Sequence, residues 1–569
     1  MIVSGVALMA FGVTAALGYT FLYGSIGSFI ATSSLGIGFS LVSGGIQAAL
    51  LKKPSANIFQ GRAITARQPI AARRGIYGQV RTGGVVTFVN VAGPQNEQLQ
   101  LVITIAGHEV EEIGKMYLDG VGMNLDASNV SLVNDLGVNY SGKIYVEKNL
   151  GTAGQAAFPS LPADSGGKWT SAHRQRGCAG VYVRIQGDKD LFRNGLPNIT
   201  FDVKGKKLYD PRTALTTYSR NWALCINDYL TSSLGLGADY ATRINEGDLI
   251  AAANDSDEEV NLNGNIGFGG VGLNDLAADA SAYSGSENPG QYDLYIDGVG
   301  SVSPAVADTF AWRENGGAWT YGVAITGSAQ ALADGVTVTV GATTGHTLDD
   351  PWVIRVGTEQ RYVLDGTFET SEKPGEVLKE MAAAGAGYIV YVGGRWSIYA
   401  GVYRSPAVTI TESDIVSPIN ITALRSRKNL FNGVKGSFIA LGETTPSDFP
   451  PVVGAQYLAE DQGQRIWKDA VMRFTSSPSA CQRISKIDLR RCRRQLQVEF
   501  KAKLTTYVLQ PADVVSLTLA KFGWTAKTFE VAASQLAFEA DASGGQVPVV
   551  SLTLRETDSD VYQWEPDEE

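Results

Sequence analysis

Few residues in this 569-residue chain are spaced for chemistry. Gly267-Phe-Gly-Gly-Val-Gly272 satisfies G-x-G-x-x-G, the spacing that lets backbone approach a pyrophosphate at a helix N-terminus. That use needs a hydrophobic strand in front, and Asn261-Leu-Asn-Gly-Asn265 stands there instead, so cofactor binding is not expected. His108-Glu109-Val-Glu-Glu112 lacks the second histidine of H-E-x-x-H, which would place two imidazoles on one helical face for zinc. The other histidines, His173 and His346, lie far away in sequence. Asp255-Ser-Asp257-Glu258-Glu259 offers oxygens for calcium but lacks the EF-hand spacing and its glycine, and is expected to form a solvated turn. No G-x-S-x-G elbow occurs, and carboxylate spacing in sequence cannot nominate a glycosidase pair. The expectation is a non-enzyme with no catalytic residue, no cofactor and no metal.

The four cysteines, Cys178, Cys225, Cys481 and Cys492, form no C-x-x-C pair. They read as isolated buried thiols, with an inter-domain disulfide left open.

Composition points to scaffolding. Glycine numbers 65 and charged residues make up only 18%, which suits short strands and many turns better than long surface helices. A formal charge of −10 opposes general nucleic-acid binding, which requires a basic face. Charge is also unevenly placed: no Asp or Glu precedes Glu97, while Lys52, Lys53, Arg62, Arg67, Arg73, Arg74 and Arg81 do.

Residues 1–51 carry no charged side chain. They divide into two apolar runs, 2–23 and 29–51, each with about the 20 residues that span roughly 30 Å of hydrocarbon as a helix. Gly5, Gly12, Gly18, Gly24, Gly36, Gly38 and Gly44 would permit close helix packing in lipid, and Lys52, Lys53, Arg62 and Arg67 would meet anionic head groups or a partner. A plug buried in protein is the competing use.

Beyond that segment, period-two alternation predicts strands around Leu99 to Ile105, Val181 to Ile185, Val336 to Val340, and Leu552 to Leu554. Helices are predicted over 223–236, 374–384 and 479–494, the last with a strongly basic face expected to be solvated or acid-paired. The fold class is therefore mainly β with a few helices: β-barrel or β-sandwich domains preceded by an apolar helical hairpin. Five segments follow: hairpin 1–51, basic linker 52–75, first β domains 76–260, a small inserted β domain 261–358, and C-terminal β domains 359–569. In the inserted segment Trp312, Trp319, Tyr321 and Trp352 would build a small core or a sugar-stacking face.

A series of ordered stretches then carries a resemblance. Tyr209-Asp-Pro-Arg212 precedes Tyr218-Ser-Arg-Asn-Trp-Ala-Leu-Cys-Ile-Asn-Asp-Tyr-Leu230, and Thr370-Ser-Glu-Lys-Pro-Gly-Glu-Val-Leu378 leads to Gly393-Gly-Arg-Trp-Ser-Ile-Tyr-Ala-Gly401. Ser426-Arg-Lys-Asn-Leu-Phe-Asn-Gly-Val-Lys-Gly436, Phe449-Pro-Pro-Val452, Ile466-Trp-Lys-Asp469, Thr475-Ser-Ser-Pro478 and Gln482-Arg-Ile-Ser-Lys486 complete it. In these the chain resembles the hub proteins of long non-contractile bacteriophage tails, the group typified by phage lambda's tip attachment protein. It departs at Trp222, where the family commonly has proline. It also departs between Glu258-Glu259 and Arg361-Tyr-Val363, where roughly a hundred residues intervene in place of a short connection.

The resemblance implies a homotrimeric ring of β-barrel hub domains in the virion, closing the tail tube at its tip. It implies contacts to distal tail protein, tail fibres and tape-measure protein, with genomic DNA only in passage and the host envelope reached during infection. It brings no catalytic residues. From the residues alone, the alternatives are a tail-associated cell-wall hydrolase and a membrane-anchored bacterial surface adhesin.

Overall fold

Alternating apolar side chains give each strand one face to bury, and two such faces make a sandwich. This is how residues 74–207 are built in the computed structural model, which describes residues 20–21, 65, 71–193, 195–540 and 545–564. One sheet orders Val85–Ala92, Gln98–Ala106, Ala179–Gln186 and Ile144–Asn149; the other orders Gln79–Thr82, Ile199–Lys204, Glu112–Leu118, Val121–Leu125 and Ser131–Asn134. Leu101, Ile103, Val181 and Val183 of the first meet Met116, Ile199, Phe201 and Val203 of the second. The outer face of the first sheet is not left to water. Val102 and Tyr182 are covered by Phe158, Leu161 and Trp169 from the connection between strands, and Gln100, fully buried, donates to the Asp164 carbonyl at 2.8 Å.

A second core gathers helices Trp222–Thr231, Glu246–Asp257, Pro374–Ala383 and Pro478–Arg493 against the hairpin Tyr388–Val392/Arg395–Tyr399 and the sheet Ser447–Val453, Gly433–Phe438, Trp467–Met472. The first of these helices starts at Asn221, whose side chain accepts from the amides of Ala223 and Leu224, satisfying donors that a helix start leaves unpaired. Trp222 then enters a slot made by two glycines: a Cβ at Gly385 or Gly387 would lie 2.4–2.5 Å from atoms around that slot. The helix stops at Thr231, short of the predicted 236, because the chain folds back through Gly235, with Leu236 donating to the Tyr229 carbonyl.

Glu259–Asn261 and Thr358–Gln360 pair antiparallel, so residues 262–357 leave and return at one point. Between them lie a five-stranded sheet (Asn265–Phe268, Pro351–Val356, Gly290–Gly298, Thr309–Glu314, Thr320–Ala324) and a three-stranded one (Leu276–Asp279, Thr337–Val340, Gln330–Ala331). They enclose a separate core that includes Tyr292, Leu294, Ile296, Phe310, Val338, Trp352 and Ile354. Strands within residues 408–422 and 497–556 form a six-stranded sheet around Ile410, Val498, Phe500, Leu517, Phe529 and Leu552, with a long hairpin Trp524–Ala540/Gln546–Glu556.

Among the described residues strand is 42% and helix 16%, a mainly β fold. Three expectations need correction. Thr20–Phe21, inside the first expected helical run, is extended and pairs with Tyr391 and Val390; the rest of 1–51 lies outside the described residues. The strand Arg74–Tyr77 begins within the expected linker and pairs with Gly366–Glu369. Helix Glu246–Asp257 was not anticipated, so the acidic run 255–259 is a helix end followed by a strand, not a solvated turn. Its signal was present: Leu249, Ala252, Ala253 and Ser256 are buried at helical spacing, with Glu246 and Asp248 in the first turn.

Candidate functional site

The stretches that carry the family resemblance converge in space. Trp222, Leu224, Ile226, Val377, Leu378, Ile398, Leu430, Phe431, Val434, Phe449, Val452 and Ile484 belong to one buried cluster, and Ile466 packs against it. Thr475-Ser-Ser-Pro478 contributes polar groups instead, to a buried ionic network. Asp365, whose side chain is wholly inaccessible, accepts from Arg220 Nε at 2.9 Å and Nη2 at 2.6 Å, from the Gln79 amide at 2.8 Å, and from the Ser476 hydroxyl. Burial alone would raise its pKa; the Arg220 charge and these hydrogen bonds outweigh it and hold the carboxyl below its usual range. Glu359, at the foot of segment 262–357, accepts from Ser477 Oγ at 2.7 Å, Ser479 Oγ at 2.8 Å and Arg483 Nη1 at 3.0 Å.

The basic helix therefore does not present a solvated face. Arg483, Lys486 and Arg491 are buried. Arg493 pairs with Asp461 and Arg494 with Asp560, while Arg491 lies over the rings of Tyr388 and Tyr562 at 4.8 and 5.2 Å. Nearby, Arg473 holds two carboxylates with opposite results. Glu372 takes two contacts at 2.6 and 2.7 Å, and although burial opposes it, the arginine pulls its carboxyl down; Glu380 has one at 2.9 Å, and burial keeps it raised. Such networks tie together pieces distant in sequence, and breaking one leaves a charge stranded in low dielectric.

The other sequence motifs are absorbed structurally. In Gly267–Gly272 the amides of Val271 and Gly272 donate to Asp350 at 3.0 and 2.8 Å, and the next element is the strand Leu276–Asp279, not a helix. His108 accepts the Ile76 amide at 2.9 Å and faces the Glu109 carbonyl at 2.7 Å; burial lowers its pKa to about 4, so it serves as a neutral clasp. His346 sits between Asp308 at 2.8 Å and Asp275 at 3.1 Å. In the acidic run, Glu258 is held by Arg361 and Asp257 by Arg212. No group of three or more His, Cys, Asp or Glu is placed to hold a metal among the described residues. All four cysteines are free thiols, three of them buried, with burial pushing Cys225, Cys481 and Cys492 up.

Four aromatics of segment 262–357 separate into two pairs. Trp352 is buried and Trp312 packs against the same core. Trp319 and Tyr321 stand outside, with Trp319 edge-to-face on Tyr295 at 4.8 Å and Tyr321 63% exposed. Core and surface uses are both realised.

Of the expected site residues, Gly5, Gly12, Gly18, Gly24, Gly36, Gly38, Gly44, Lys52, Lys53, Arg62 and Arg67 lie outside the described residues. Arg81, from the same basic stretch, is buried over the Tyr117 ring at 3.6 Å and donates to Thr200, so it is not available to a head group. Among the described residues no helix is long and apolar enough to cross a membrane.

No family model and no curated protein matches the chain. Solved structures similar to it include a chain of the virion of a native gene transfer agent particle, at 12% identity and TM-score 0.47, covering 94% of this chain and 98% of that one. A tail protein from Neisseria meningitidis MC58 aligns at 14% identity and TM-score 0.24, over 47% of this chain and 91% of that one. The 43 kDa tail protein of prophage MuSo2 from Shewanella oneidensis aligns at 12% identity and TM-score 0.23, over 52% and 98%.

Proposed function

We propose that this chain is a non-enzymatic structural subunit of a bacteriophage virion, the central hub of the tail tip. The observation that carries this reading is the convergence just described. Stretches scattered from Tyr209 to Lys486 resemble tail hub proteins, and their apolar residues fill one core while their serines and arginines feed one ionic network. Chance matches in a chain of this length would fall across all its cores. Here they spare the core of segment 262–357.

In this reading three copies form a ring that closes the tail tube, because a closed ring must match the symmetry of the tube it ends. Distal tail protein, tape-measure protein and fibres contact the ring, and DNA passes through it when it opens. Native mass measurement of the purified hub is the test: a trimer is expected, and a stable monomer or dimer within the particle overturns the hub assignment. The uncharged residues 1–51 are the part that would enter a host membrane during ejection, with Lys52, Lys53, Arg62 and Arg67 against anionic lipid. A charge at mid-bilayer costs at least about 2.5 kcal/mol per helix. Phage carrying Gly12→Asp and Gly38→Asp should therefore assemble and adsorb yet fail to deliver DNA; normal delivery removes the membrane role.

A further inference from the structure

The outer face of the five-stranded sheet in segment 262–357 combines aromatic and charged side chains. Strands Gly290–Gly298, Thr309–Glu314 and Pro351–Val356 lie side by side, with Asp293 opposite Arg313 on one flank and Val353 on the other. Tyr292, Leu294, Ile296 and Ile354 point into the core, which leaves Gln291, Asp293, Tyr295 and Arg313 on the opposite face. Trp319 closes this face into a shallow cleft of about 420 Å³.

The polar groups there are set in place before any ligand arrives. Asp293 accepts from Gln291 Nε2 at 2.7 Å through one oxygen and from Arg313 Nε at 2.7 Å through the other. Arg313 in turn lies over the Trp319 ring, 4.6 Å from its centre. Trp319 stands edge-on to Tyr295, and Tyr321 continues the aromatic row at 6.4 Å. Folding does not require this row: the adjacent core already has Tyr292, Phe310 and Trp352. A half-buried indole with a guanidinium over one face, and a fixed carboxylate and a carboxamide nearby, matches one ligand chemistry. A pyranose offers an apolar C–H face for stacking and, around its rim, vicinal hydroxyls that both donate and accept.

We propose that this cleft binds neutral pyranose units of a glycan, with the sugar ring against Trp319 and its hydroxyls shared by Asp293, Arg313 and Gln291. Neutral sugars are specified by charge: Arg313 is already paired with Asp293, and Asp349 adds a second carboxylate to the lining. An anionic saccharide would meet net negative charge. The inference stands apart from the hub reading, since it uses only residues of segment 262–357.

The test uses the full chain and four probes: methyl glycosides of glucose, galactose and mannose, and N-acetylglucosamine, read by saturation-transfer NMR and tryptophan fluorescence. At least one should bind with a dissociation constant on the order of 1 mM, as befits a shallow site for a single ring. Trp319→Ala and Asp293→Asn should each weaken that binding at least about 10-fold, while Trp319→Phe retains part of it and thermal unfolding stays unchanged in all three. Glucuronic acid should not bind. Absence of binding by all four neutral probes, binding undiminished in Trp319→Ala, or a preference for glucuronic acid would each overturn the proposal.

Discussion

The resemblance-bearing core and the segment spliced into it use charge in opposite ways. In the core, Asp365, Arg483 and Arg491 are buried and serve to lock pieces of chain more than a hundred residues apart, as Asp365 does with Gln79 and Arg220. In segment 262–357 the pair Asp293–Arg313 lies on a strand face, partly open to water, beside a half-buried tryptophan. Aromatics follow the same division: Trp222 is sealed between glycines, whereas Trp319 is only half-buried and Tyr321 faces outward. Buried ionic locks fix one geometry, as an assembly part requires. Pre-paired surface groups leave hydrogen-bonding capacity for something else.

Breaking one lock should have the largest effect. Asp365→Ala strands Arg220 beside a cavity and should destabilise the core by about 3–5 kcal/mol in denaturant unfolding; a loss below about 1 kcal/mol would erase the contrast with the inserted segment. Acid should act on the sandwich nearly as strongly through His108. Its folded pKa is depressed to about 4 from 6.5 by burial, so the unfolded chain takes up a proton first, and stability is lost as pH falls between those values. That amounts to about 3 kcal/mol by pH 4, from 1.36 kcal/mol per unit, and the slope should flatten in His108→Gln. Gly385→Ala drives a methyl into the Trp222 ring, at 2.4 Å, and should cost about 1–3 kcal/mol in the same assay. Trp319→Ala, by contrast, should change stability by less than about 0.5 kcal/mol. A larger loss would mean that the exposed row belongs to the core after all.

Much of this division was legible in the sequence. The alternation at Leu99–Ile105 and Val181–Ile185 gave strands because one face of each is apolar. Proline at Pro374 marked one helix start to the residue, and the basic helix begins at Pro478, one residue before the predicted 479. What escaped was whatever depends on a distant partner. Gln100 looked like an outward-facing residue until the 150–178 connection covered it. For the basic helix, expected to be solvated or acid-paired, the sequence could not say which, because its carboxylates, Glu359, Asp461 and Asp560, sit elsewhere in the chain. Helix Glu246–Asp257 was missed for a different reason: alanine buries too little surface to make the apolar stripe conspicuous. Nothing short of the fold could divide Trp312 and Trp352 from Trp319 and Tyr321, since stacking face and core draw on the same residue types.

The central claim, a hub ring with segment 262–357 on its outside, is tested most directly by image averaging of tails from wild-type phage and from phage in which 262–357 is replaced by a short linker joining the paired strands Glu259–Asn261 and Thr358–Gln360. The account predicts that both assemble, and that the difference map shows three equivalent lobes missing from the periphery of the tail tip. Lobes lost along the tube, a count other than three, or tails that do not form without the segment would contradict it.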